Sequence, residues 1–147
     1  MTSEQIISAL PYQYPFLFVD EIIEVDTDRI IGSYTYDPEL PFYLGHFKNN
    51  PITPGVILTE TMAQIGLVSL GIYMLDANDQ SIKDYQIAMT SSEIQYYIPV
   101  LPSETVIVKS EKDYFRFQKL KCRVTMYNQK EELVCRGTIS GMITTTK

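Results

Sequence analysis

Thr53-Pro54-Gly55-Val56-Ile57-Leu58-Thr59-Glu60-Thr61-Met62-Ala63-Gln64-Ile65-Gly66-Leu67-Val68-Ser69-Leu70-Gly71-Ile72-Tyr73-Met74-Leu75 is the stretch that decides the fold. Thr53 suits a helix N-cap and Pro54 the first helical position. Val56 to Leu75 then supplies apolar residues on all sides of the helix, and a helix apolar all round must be wrapped by something. The chain that follows offers only strands for the purpose, at about 85–97, 104–116, 119–128 and 132–144. One long helix enclosed by a curved antiparallel sheet satisfies both halves of that inventory, so the expected class is α+β.

Working outward, residues 3–9 predict a short amphipathic helix, with Ser3 as its cap and Ile6, Ile7 and Leu10 on one side. Pro11 and Pro15 force an irregular crossing. Phe16 to Val25 reads as a strand, Asp26-Thr27-Asp28 as a turn, and Arg29 to Tyr36 as the returning strand. Residues 37–54 hold four prolines and read as a long ordered loop.

With 147 residues and 45% apolar content, residues 1–147 are read as one globular domain. No repeat, linker or low-complexity segment divides them. The net charge of −6 argues against nonspecific nucleic-acid binding, which needs a basic surface. Met1 to Gln5 carries no signal-peptide pattern, and a cytoplasmic compartment is expected. Gly55 to Leu75 is long enough to cross a bilayer, but its Thr59, Glu60, Thr61, Gln64 and Ser69 mark a core helix instead of a membrane span. Cys122 and Cys135 have no metal-type spacing. They are expected as reduced, half-buried thiols, although pairing across neighbouring strands is geometrically open.

The chemistry-bearing residues cluster at the start of the long helix. His46 is the only histidine, and Glu60 is the only charged side chain between Lys48 and Asp76. A buried carboxylate is costly unless paired or neutral, and folds keep one mostly where chemistry needs it. Thr53-Pro54-Gly55-Val56 places unsatisfied N–H groups at the positive end of a helix. Gly55, without a Cβ, lets a ligand oxygen approach its amide, the design of an oxyanion site for a carbonyl such as a thioester. Gln64 stands four residues beyond Glu60, on the same face, and can orient its carboxylate. His46 supplies an imidazole, suited to general base work near neutrality. A lone loop histidine is ordinarily structural; its spacing to Gly55 and Glu60 is what singles it out.

The order Gly45-His46-Phe47, Pro51-Ile52, Pro54-Gly55-Val56, Glu60 and Met62-Ala63-Gln64 resembles the active-site block of the β-hydroxyacyl-acyl-carrier-protein dehydratases, which have a hotdog fold. Leu10 to Asp20 is similar to that family's N-terminal segment, and Pro99-Val100-Leu101-Pro102 to a later strand-entry turn. The resemblance implies that His46 is the catalytic histidine, Glu60 the catalytic carboxylate and Gly55 the amide donor. Phe47, Val56 and Gln64 are expected to bind substrate. It also implies a homodimer with sites shared between subunits, packing further into a tetramer or hexamer being open, and no metal or organic cofactor. The chain departs from the family pattern at Asn50, where a second histidine is usual, and at Lys48-Asn49, where Pro-Gly is usual. Tyr97-Ile98 replaces frequent arginines, and Ser103 a turn glycine.

The expected activity is dehydration of a 3-hydroxyacyl phosphopantetheine thioester on acyl-carrier protein, in fatty-acid or related lipid or polyene synthesis. Acyl thioester hydrolysis and a non-catalytic acyl-binding subunit are the alternatives, since a fold does not fix a function. Lys119, Lys121 and Arg123 alternate on one strand face. They form either a solvated sheet surface or a basic patch for an acidic carrier.

Overall fold

The apolar stretch forms one helix, α2, over Gly55–Ala77, in a computed structural model that describes residues 1–145. By length and composition α2 could cross a membrane, yet 78% of its apolar window is buried within the fold. Its middle, Gln64–Ser69, is a π-helical turn in which the Ser69 hydroxyl donates to the Gln64 carbonyl at 2.6 Å. That five-residue reach offers the locally widened backbone a partner. Gly66 lies where the strand carrying Ser110 crosses: a Cβ there would stand 3.0 Å from the Ser110 Cβ, and Ser110 donates to the Gly66 carbonyl at 2.8 Å.

A helix α1 (Ser3–Ala9) leads into β1 (Glu21–Val25) and β2 (Arg29–Thr35). Beyond α2 come β3 (Tyr85–Tyr96), β4 (Thr105–Arg116), β5 (Lys119–Asn128) and β6 (Leu133–Thr145). All pairings are antiparallel, in the order β1-β2-β4-β5-β6-β3. Val106, Val108, Leu120, Cys122, Val124 and Met126 turn one sheet face onto α2, where they pack with Met62, Ile65, Leu67 and Leu70. Bulges in β1, β3 and β4 bend the sheet around the helix. The result is the expected hotdog architecture. β3 is an edge strand, bonded to β6 on one side only and exposed along most of its length.

Four local expectations are corrected. The first strand covers only Glu21–Val25, not Phe16–Val25. The Phe16 carbonyl and Phe18 N–H are bonded to the Gln64 side chain, so that segment has no ladder to join. Thr53 does not cap α2: its hydroxyl is bonded to the Tyr43 hydroxyl at 2.6 Å, and Pro54 is the N-cap without a side-chain bond. The cap of α1 is Thr2, in a capping box with Gln5, while Ser3 instead accepts the Ile22 N–H at 2.9 Å. Cys122 and Cys135 are free and fully buried, not half-buried; Cys135 packs against the sulfurs of Met62 and Met126.

Candidate active site

His46 follows the 3-10 turn Pro41–Leu44, whose Phe42 carbonyl accepts the His46 N–H at 3.0 Å. Its Nδ1 lies 2.8 Å from the Ile52 carbonyl, an acceptor-only group, so Nδ1 carries a proton and, in the neutral ring, Nε2 holds the lone pair. The imidazole stacks on Phe47 with ring centroids 3.9 Å apart. It lines a recess of about 320 Å³ with Thr53, Gly55, Leu58, Tyr96 and Tyr97. The histidine and the start of α2 therefore meet in one place.

Ile57 and Leu58 both donate to the Pro54 carbonyl, which closes the first turn of α2. The Gly55 and Val56 amides come before Ile57, the first intrahelical donor, and point out of the positive helix end. A Cβ on Gly55 would lie 3.3 Å from the Tyr96 ring, so the missing side chain lets that ring lie against the helix start. Phe47 and Val56 are 53% and 75% exposed, large apolar surface flanking the recess.

Glu60 belongs to a different environment. It is half-buried, and Gln64 Nε2 donates to its carboxylate at 3.0 Å. Burial raises its carboxyl above the ordinary value against the lowering effect of Gln64. Tyr12 is pushed up to about 12, mainly by burial and further by the Glu60 charge, which places this carboxylate beside the N-terminal segment. Glu60 is not among the residues lining the recess of His46. Within one chain, then, His46 and the Gly55 amide are together and Glu60 stands apart.

Glu60, Gln64, Val68 and Ile72 recur every four residues along one face of α2. Val68 and Ile72 floor a mostly apolar cavity of about 460 Å³ shared with Leu75, Ala9, Pro11 and Ile87, with Ser8, Lys83, Tyr85 and Gln86 on its polar side. The carboxylate face thus continues into an apolar pocket.

Lys119, Lys121 and Arg123 point away from α2, alternating with buried Leu120 and Cys122. Arg123 is held by Glu111 at 3.4 Å and Asp113 at 3.5 Å, so its charge is partly spent. Lys121 and Arg123 line an outer groove of about 790 Å³ with Lys109 and Arg136, whereas Lys119 lies outside that lining. The Arg136 guanidinium sits 5.9 Å over the Tyr97 ring, which links this groove to the His46 recess. Nothing in the sequence singles out Tyr96; its closeness to Gly55 arises from tertiary packing.

Comparison with known proteins supplies the lineage. Residues 10–138 match the FabA-like domain. The chain is 32% identical over 143 residues to the 3-hydroxyacyl-[acyl-carrier-protein] dehydratase FabZ of Wolbachia sp. subsp. Brugia malayi, covering 94% of this chain and 93% of that one. It is also 32% identical over 135 residues to the bifunctional enzyme LpxC/FabZ of Chlorobaculum tepidum, covering 91% of this chain but spanning only 28% of that longer protein. Among solved structures, the dehydratase heterocomplex of Xenorhabdus doucetiae aligns with a TM-score of 0.81 at 10% identity, over 96% of this chain and 91% of that one, a likeness of fold. The chain belongs to the FabA-like family.

Proposed function

We propose that this FabA-like chain removes water from a 3-hydroxyacyl thioester carried on acyl-carrier protein, leaving the trans-2-enoyl thioester. The observation that carries the reading is the recess in which the His46 imidazole faces the amide end of α2 at Gly55. The dehydratase name of a relative matched over nearly its whole length agrees with it.

The chemistry follows from the groups. The thioester carbonyl accepts the Gly55 N–H, and the positive helix end stabilises charge gathering on its oxygen. That polarisation acidifies the adjacent carbon. His46 Nε2, free because Nδ1 is anchored on Ile52, takes the proton from that carbon. Electrons of the broken C–H bond form the double bond as the C3–oxygen bond breaks. Glu60, whose carboxyl burial holds above its ordinary value, gives its proton to the departing hydroxyl, which leaves as water. Proton return from His46 to Glu60 resets the site.

Because Glu60 lies away from the His46 recess of its own chain, the carboxylate at each recess is assigned to a second copy in a homodimer. The open edge of β3 supports that assembly, since a twelve-residue strand, nine of its residues exposed, offers unpaired backbone groups on one side. The apolar cavity beyond Gln64 would hold the acyl chain. Basic Lys119, Lys121 and Arg123 would attract the acidic carrier, with the groove beside Tyr97 leading toward the recess. We assign the protein to the cytoplasm, where such carriers are charged.

Purified protein incubated with 3-hydroxyacyl thioesters of graded length, on acyl-carrier protein and on coenzyme A, tests the reading. Formation of enoyl thioester supports it. Release of free thiol would make the protein a thioesterase, and binding without turnover would make it a binding subunit.

A further inference from the structure

Thr59 and Tyr96 are joined by a hydrogen bond between their hydroxyls, from the first turns of α2 to the end of the edge strand β3. Thr59 is buried, one position before Glu60, and its hydroxyl reaches Tyr96. Tyr96 lines the His46 recess, and its ring is the nearest group to the space a Cβ on Gly55 would fill, with Cε1 at 3.3 Å and Cζ at 3.4 Å. The ring is therefore packed on Gly55 and tied at its far end to Thr59, four residues along the same helix. The N-cap Pro54 has no side-chain bond, and Thr53 before it is held by Tyr43 through its hydroxyl and by the Val100 carbonyl through its N–H, so the Tyr96 ring adds a brace on Gly55 itself.

We infer that Thr59 and Tyr96 are a positioning pair, which holds the Gly55 amide at the angle needed to polarise the thioester carbonyl. The inference rests on the proposed role of Gly55. Thr59 acts through Tyr96, and Tyr96 acts by bracing the first turn of α2 against β3. A hydrogen bond to a carbonyl weakens steeply with misalignment, so a small tilt of the first turn reduces polarisation without emptying the recess. The prediction is accordingly a loss in kcat with KM nearly unchanged. Two further consequences separate bracing from packing. Removing either hydroxyl breaks the same bond, so the double variant should be no worse than the worse single one. The carbonyl of a bound thioester should also lose polarisation.

Tyr96→Phe keeps the ring and Thr59→Val keeps the shape, so both are expected to fold; thermal melting of each checks this. The experiment measures kcat and KM on a 3-hydroxyacyl thioester. Alongside, it records the infrared carbonyl stretch of S-butyryl pantetheine, carbon-13 labelled at the carbonyl, bound to each protein. We expect kcat to fall roughly ten-fold in each single variant and in the double one, with KM within about two-fold. The stretch of the bound probe should move back toward its value in water. Unchanged kcat and stretch in the variants of an active wild-type enzyme would overturn the inference and leave the dehydratase reading standing, as would losses that multiply in the double variant. An inactive wild type whose bound probe still loses polarisation in the variants would overturn the dehydratase reading and keep the bracing role. A wild type that neither turns over substrate nor shifts the probe would overturn both.

Discussion

Gln64 joins the carboxylate of Glu60 to the N-terminal segment of the chain. Its Nε2 donates to Glu60 at 3.0 Å and to the Phe16 carbonyl at 3.0 Å, while its Oε1 accepts the Phe18 N–H at 2.8 Å. Gln64 is fully buried, so all three bonds lie where water cannot replace them easily. Gln64→Met keeps the length and removes the bonds, stranding the Phe18 N–H and the Phe16 carbonyl. We expect a loss of about 2–6 kcal/mol in urea unfolding, from two orphaned backbone groups at about 1–3 kcal/mol each. A loss below about 0.5 kcal/mol would show that the segment re-pairs elsewhere.

Glu60→Gln should separate catalysis from stability. As a lost general acid it should lower dehydration by about 10²- to 10⁴-fold. Burial raises the Glu60 carboxyl in the folded state, so the folded chain binds this proton more tightly than the unfolded chain. The carboxylate therefore costs stability as pH rises from its ordinary 4.5 through the raised value. Glutamine does not titrate, so the variant should be more stable than the parent at neutral pH and lose that advantage below 4.5. Urea midpoints across the acid range check the sign; an advantage growing toward low pH would contradict it.

The long helix and the four later strands were legible because all-round apolarity and alternating β-rich runs survive any packing arrangement. The elements misread were those settled by partners distant in sequence. Phe16 to Asp20 has strand-forming residues but bonds to Gln64, 46 residues away from Phe18. Thr53 has the chemistry of a cap but is taken by Tyr43. Among the site residues, spacing singled out His46, Gly55 and Glu60, yet no spacing could show that Glu60 lies outside the His46 recess. Tyr96 was one tyrosine of eleven; only the folded sheet brings it onto Gly55.

Two departures from the family pattern share a backbone reason. Asn49 and Ser103 stand where glycine is usual, and both have positive φ, 59° and 74°. Asparagine tolerates that region and serine does so less well. Ser103→Gly should therefore stabilise the fold by about 0.5–1 kcal/mol, the left-handed penalty exceeding glycine's added chain entropy. Thermal unfolding checks it, and a drop in Tm would refute the assignment of strain.

Charge reversal at Lys119 and Lys121 should slow reaction of the carrier-bound substrate more than that of a small pantetheine thioester, and salt should shrink the difference. Arg123→Glu should act more broadly, because it also sets like charges beside Glu111 and Asp113. Equal slowing on both substrates for the lysine variants would reduce the patch to a solvated sheet face.

The central claim is dehydration at a site that draws His46 from one chain and Glu60 from another. It is tested most directly by mixing two inactive proteins, His46→Ala and Glu60→Gln, under conditions that exchange subunits, and following enoyl thioester formation. About half of the resulting dimers are mixed, and each mixed dimer holds one intact site of its two. The mixture should therefore recover about a quarter of wild-type turnover. A mixture as inactive as its components, with subunit exchange demonstrated by mass, would contradict the shared site.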